Sequence, residues 1–304
     1  MRDSSLFTSA LYKTMKKRAL FAIFLSILTI AVSTVTFSLN IATTINPYYL
    51  IVKEITGGKA TVSLVVKPGA DPHSYSPTVS DVKALSKADL IIANGLGLDN
   101  AYLKGYKNVL YLGGKIPNTM LEAEIGHDDG DSEGVNPHIW LSFDFLTQYI
   151  VPSIRDEIIR VDNVNAQIYR ANAAALIKSL SALSKKFDSL LGGYKNSVVV
   201  LDHPSYFYLF KKYGIVILSV EEGHDKQPTI SHVKDIITQS KKSKLLGIFV
   251  GPQFNTSAID TISKELKRKY YVLDPLGVDS QSITDLLSKA YSVIKEAVNG
   301  ASEK

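Results

Sequence analysis

The sequence predicts an α/β protein of two lobes, each a mainly parallel sheet wrapped by helices, joined by one long rigid helix. Three observations carry that expectation. A chain of 304 residues, 45% hydrophobic and 21% charged, exceeds what one small core organises and favours about two domains of ~150 residues each. Eight short apolar runs rich in β-branched residues alternate with helix-patterned segments. Their apolarity is continuous rather than alternating, which suits strands covered on both faces of a parallel sheet. Four of these runs fall before residue 113 and four after residue 197, and the interval holds helical patterns but no strand candidate.

Taken in order, the chain begins with a basic cluster, Lys16-Lys17-Arg18, followed by the apolar run Ala19 to Val35. Residues 1–33 carry a net charge of +4 of the total +5, so the remainder is close to neutral. Basic flank plus apolar run reads as a secretory signal or an N-terminal membrane anchor over residues 1–36. Its 17 residues lie between a signal core of ~7–15 and a comfortable span of ~20. Ala31-Val32-Ser33 offers a small-residue cleavage site. The protein is therefore expected outside the cytoplasm, secreted or tethered to the membrane by residues 19–35. The first lobe, residues 37–163, contains the runs Ser38 to Ile41, Ala60 to Val66, Leu90 to Ala93 and Val109 to Leu112. The linking helix, residues 164–192, repeats apolar residues at Leu176, Leu180, Leu183, Phe187 and Leu190 and ends at Gly192-Gly193. About 27 residues at ~1.5 Å each span roughly 40 Å, the length of a strut between lobes. The second lobe, residues 193–304, contains Val198 to Leu201, Ile215 to Val220, Leu245 to Val250 and Tyr271 to Leu273.

Several chemistries are excluded at this level. The chain has no cysteine, which removes disulfides, thiolate metal clusters, a Cys nucleophile and a lipid-modified Cys. A near-neutral body without a basic stripe argues against nucleic acid as a partner. Gly95-Leu96-Gly97 follows a strand, yet Asn100 stands where the third glycine of a dinucleotide turn belongs. There is no G-x-S-x-G elbow and no G-x-x-x-x-G-K-[ST] loop.

What remains is a set of residues in one shared setting. His73 stands in Asp71-Pro72-His73-Ser74, His138 in Asn136-Pro137-His138-Ile139-Trp140, and His203 in Asp202-His203-Pro204 directly after a strand. Asp274 sits between the strand Tyr271 to Leu273 and Pro275. Each of the four touches one of only eleven prolines. Proline fixes its own φ and pushes the preceding residue out of the α region, so such loops hold side chains with little ordering cost. In open α/β sheets, ligands bind beyond the carboxyl ends of the strands. Two of the four come from each half of the chain, so they meet only between lobes. Three imidazoles and one carboxylate form a mixed N/O set suited to Zn²⁺. His224 and His232 lack the shared setting and read as a solvated loop residue and a helix-start residue. His127 opens the acidic, Gly-punctuated loop His127 to Gly134, which could collect cations.

At these residues a resemblance emerges. Asp71 to Asn100 (DPHSYSPTVSDVKALSKADLIIANGLGLDN), NPHIW, the strand with His203 ending in FKKYG and VLDPLG at Val272 to Gly277 resemble the extracytoplasmic metal-binding proteins of zinc and manganese ABC transporters. The resemblance runs from about Asn40 to the C-terminal helix. It implies a metal in the interlobe cleft held by His73, His138, His203 and Asp274, and delivery to an ABC transporter permease by a monomer with no chemistry of its own. The family's His-rich or acidic loop corresponds to His127 to Glu133, short here and with a single His. Asn136 stands where the family more often has Asp, Lys226-Gln227-Pro228-Thr229 where it has Glu-Pro-Ser, and Gly251 where it has Glu. His203, rather than a Glu, at the third ligand position implies zinc over manganese, in line with ligand softness. Three alternatives stay open at this point: an Mn²⁺ receptor of the same type, a metal-stabilised surface adhesin, and a zinc hydrolase. The hydrolase would need an open coordination position and a general base.

Overall fold

The eight apolar runs become eight strands in the computed structural model of the chain, which describes residues 12, 14–18, 39–123, 134–222 and 227–302. Strands β1 (Leu39–Thr43), β2 (Ala60–Leu64), β3 (Leu90–Ala93) and β4 (Val109–Tyr111) form one sheet in the order β2-β1-β3-β4. Strands β5 (Val198–Leu201), β6 (Val216–Ser219), β7 (Leu245–Val250) and β8 (Tyr271–Val272) form a second in the matching order β6-β5-β7-β8. Every neighbouring pair is parallel: Ile41 lies opposite Val62 and Leu90, and Val200 opposite Leu218 and Ile248. Every residue of β3, β5 and β7 is buried, the outcome expected of continuous apolar runs between helical layers. Apolarity outlasts pairing after β2, where Val65 and Val66 remain buried although the strand ends at Leu64.

Identical strand order gives both sheets the same reversal point, between β1 and β3 and between β5 and β7. Crossovers leave in opposite directions there and open a crevice at the carboxyl ends of the strands. His203 follows β5 directly, at such a point.

Between the sheets runs the helix Ala166–Leu191, capped by Asn165 and Gly192. It buries Tyr169, Ala173, Leu176, Leu180, Leu183, Phe187 and Leu191. The apolar stripe thus ends on Leu191 and not, as the spacing suggested, on Leu190, which is only partly buried. The helix packs against Asn46–Thr56 and Val151–Val161 on the first lobe and against Ile283–Ser302 on the second. One buried cluster runs from Ile41 in β1 through Leu180 to Phe249 in β7, so the lobes share a core.

Near the N-terminus, residues 14–18 are helical. The apolar run 19–35 with its cleavage site, the acidic loop 127–133 and His224 lie outside the described residues. Among the described residues, no helix is long and apolar enough to cross a membrane.

Candidate metal centre

Each of the three Pro-flanked histidines is fixed by a polar neighbour. His73 is stapled by Asp71, whose Oδ1 accepts the His73 backbone N–H at 3.0 Å and whose Oδ2 accepts the Ser74 hydroxyl at 3.1 Å. The buried His138 is held by Asn136, whose Oδ1 accepts the His138 backbone N–H at 3.0 Å and faces its Nδ1 at 2.9 Å. Asn136 also reaches the second lobe: its amide donates to the Pro204 carbonyl at 3.4 Å, and its own carbonyl accepts the Tyr208 hydroxyl at 2.9 Å. His203 presents Nδ1 to the Glu221 carboxylate and stacks its ring on Phe254, with centroids 5.1 Å apart.

With Nδ1 of His138 and His203 committed to acceptors, their Nε2 atoms point inward, and the three rings converge on one spot. Nε2 of His138 lies 3.0 Å from Nε2 of His203 and 3.2 Å from Nε2 of His73. Ligand atoms from these three residues all lie within 4.8 Å of one another. An imidazole whose Nδ1 carries the proton offers a lone pair at Nε2. Two such lone pairs at 3.0 Å repel unless a proton or a metal cation lies between them. Ligands on tetrahedral zinc, with Zn–N of about 2.0–2.1 Å, stand about 3.3–3.4 Å apart. The observed spacings are within a few tenths of an ångström of that, so the donor set fits such an ion. The amide behind the His138 ring and the carboxylate behind the His203 ring are the kind of support that fixes tautomer and orientation in metal sites.

The space at this point is small. A small pocket of about 10 Å³ is lined by His73, His138, Trp140, His203, Phe254 and Pro275, about the room that one water-sized guest needs. Alongside it, an open cleft of about 180 Å³ is bordered by Asp71, Asp202, Glu221 and Asn255. Burial pushes the Asp202 carboxyl up to about 7, against the pull of backbone N–H donors from Gly251 and His203.

Asp274 lies in the loop that lines the same small pocket through Pro275 and Leu276. Its carboxylate is not within the three-histidine group. It accepts its own loop's backbone N–H groups instead: Oδ1 from Leu276 at 2.8 Å and Gly277 at 2.9 Å, Oδ2 from Val278 at 2.7 Å. His232 stands apart. It lies in the first turn of the helix Ile230–Lys242, as expected of a helix-start residue, with its Nε2 2.8 Å from the Ser219 carbonyl.

Residues 41–297 match the family described as ZnuA, the periplasmic component A of the zinc-uptake complex. The chain belongs to the ZnuA family. A putative metal-binding protein of Thermotoga maritima is 38% identical over 276 residues, covering 90% of this chain and 98% of its own. The zinc-binding lipoprotein AdcA of Streptococcus pneumoniae serotype 4 is 29% identical over 265 residues, 83% of this chain. The match covers 52% of AdcA, so the chain spans about half the length of that relative. A crystal structure of ZnuA superposes with a TM-score of 0.75 at 27% identity, over 86% of this chain and 99% of the other. The solute-binding protein FpvC of Pseudomonas aeruginosa, solved in complex with Mn²⁺, superposes with a TM-score of 0.73 at 28% identity, again over 86% and 99%. Membership in the ZnuA family makes this chain a metal-binding solute-binding protein of a receptor family, not a member of an enzyme family.

Gly251 has a local reason to lack a side chain. A Cβ there would meet the Phe254 ring at 2.9 Å, and that ring stacks on His203. Glu221 was not singled out by sequence. It sits just past β6, and β6 lies beside β5, so its pairing with His203 depends on strand order. The only signal in the sequence was an acidic residue at a strand end.

Proposed function

We propose that this chain is an extracytoplasmic receptor that captures Zn²⁺ between its lobes with His73, His138, His203 and Asp274 and delivers it to an ABC permease. In this reading residues 37–163 and 193–304 are the two lobes, 164–192 the strut, and residues 1–36 the export signal or tether. The observation that supports it best is the convergence of three Nε2 atoms at 3.0 and 3.2 Å, two of them with Nδ1 on an acceptor. Zinc is favoured over manganese because three imidazole nitrogens suit the softer ion, whereas Mn²⁺ sites are richer in carboxylate and water oxygens. The name of AdcA as zinc-binding agrees with this. A relative solved with Mn²⁺ supports the second reading, a manganese receptor of the same type.

The test is metal analysis of purified residues 37–304 followed by competition between Zn²⁺ and Mn²⁺. Preferential retention of zinc supports the proposal, and retention of manganese against excess zinc selects the second reading. Pull-down of a permease, as opposed to a surface partner, separates a transport receptor from a metal-stabilised adhesin.

A further inference from the structure

The loop that carries Asp274 is held by side chains from outside it over four successive residues, Asp274 to Gly277. Its carbonyls are taken one after another by side-chain donors: Asp274 by the Tyr206 hydroxyl at 2.7 Å, and Pro275 by Trp140 Nε1 at 2.8 Å. Asn46 Nδ2 then donates to Leu276 at 3.0 Å and to Gly277 at 2.8 Å. All three donor residues are buried. Trp140 and Asn46 belong to the first lobe, Asn46 at the start of the helix that follows β1. The loop belongs to the second lobe.

Asn46 is suited to this task by its chemistry. An amide nitrogen carries two hydrogens, and here both find carbonyls on successive residues, a clamp that Asp, an acceptor only, cannot make. Two carbonyl partners also settle which end of the amide is nitrogen. The loop is stiff internally as well: Gly277 has φ +68°, and a Cβ there would lie 2.6 Å from Leu286 Cδ1. Since Asp274 is tied to the loop by three of the loop's own N–H groups, fixing the loop fixes the carboxylate.

We propose that Asn46 from the first lobe and Tyr206 from the second are positioning residues for the metal site, together clamping the loop that carries Asp274 in place. The inference rests on the reading of Asp274 as the fourth ligand. Losing Asn46 would strip the Leu276 and Gly277 carbonyls of their donor, so the loop and its carboxylate would shift more freely and metal would leave sooner.

A double-variant cycle in the full chain tests it: wild type, Asn46→Ala, Asp274→Ala and the pair, with zinc affinity and release rate read by chelator competition. Melting curves of the metal-free forms check folding. Asn46→Ala is expected to weaken zinc about 10-fold, the effect of losing two buried hydrogen bonds, mainly through faster release. In the Asp274→Ala background the same change is expected to have no further effect, since no carboxylate remains to be placed. Equal losses in both backgrounds, or none in the first, overturn the clamp. Tyr206→Phe deletes one hydroxyl, keeps the ring and carries the same expected pattern, so it decides the question if Asn46→Ala does not fold. His203→Ala keeps the parent reading separate: unchanged affinity there overturns the metal site itself, whereas a large loss there with additive Asn46→Ala overturns only the clamp.

Discussion

Removing the imidazole of His203 by substitution with Ala is the sharpest perturbation of the proposed centre. Structural zinc sites with four protein ligands bind with roughly 10–16 kcal/mol in all. One ligand of four then accounts for about 2.5–4 kcal/mol, or two to three orders of magnitude at about 1.4 kcal/mol per decade. The structure adds two further losses. The Glu221 carboxylate loses the Nδ1 partner it faces, and the stacking face of Phe254 is left open. His203→Ala is therefore expected to weaken Zn²⁺ by at least about 100-fold. His232→Ala is the matched control, because that ring bonds the Ser219 carbonyl at 2.8 Å and lies outside the three-histidine group. It is expected to change affinity little. Isothermal calorimetry with a competing chelator near neutral pH measures both. Equal losses for the two variants would refute the assignment of the centre, since only His203 belongs to the convergent three-histidine group.

Glu221→Ala is expected to weaken zinc by about 10- to 100-fold, as loss of a carboxylate behind a ligating imidazole typically does; an unchanged titration would remove Glu221 from the site. Zinc affinity is expected to fall below about pH 6, because a ligating imidazole must give up a proton and free imidazole ordinarily titrates near ~6.5. Affinity that stays flat between about pH 7.5 and 5 in a buffered titration argues against a three-histidine centre. Asp81 provides a stability test away from the metal. Burial raises its pKa, but hydrogen bonds from Thr78 and Tyr75 and the charge of Lys67 outweigh that and hold it below the ordinary 3.8. A group with a lowered folded pKa stabilises above its unfolded value and loses that contribution as pH falls through the folded one. Asp81→Asn is thus expected to lower stability by about 1–3 kcal/mol near neutrality. The variant and the parent should converge in acid, which denaturant titration at the two pH values checks.

Much of the architecture was legible because it rests on local pattern. Val198 to Leu201 and Leu245 to Val250 are continuous apolar runs, and burial on both faces of a parallel sheet demands that pattern whatever the neighbours are. The strut was legible for a similar reason: its stripe at Leu176, Leu180, Leu183 and Phe187 repeats at the helical period. His73, His138 and His203 stood out by sharing a Pro-flanked setting, and the proline restriction acts on adjacent residues only, so one sequence displays it.

What only the tertiary structure decided depends on pairs distant along the chain. Strand order β6-β5-β7-β8 brings Glu221 beside His203, and no local property of β6 tells which strand it will join. Asn46 reaches Leu276 and Gly277 across the two lobes, although nothing around it marks more than a helix start before Pro47. The same holds for Asp274. The sequence placed it at a strand end beside a proline, while the fold decided that its carboxylate is engaged by three amides of its own loop. Patterns of period and adjacency are written in the sequence because backbone geometry acts over a few residues. Which distant groups meet is set by how whole layers pack, and that is a property of the folded chain alone.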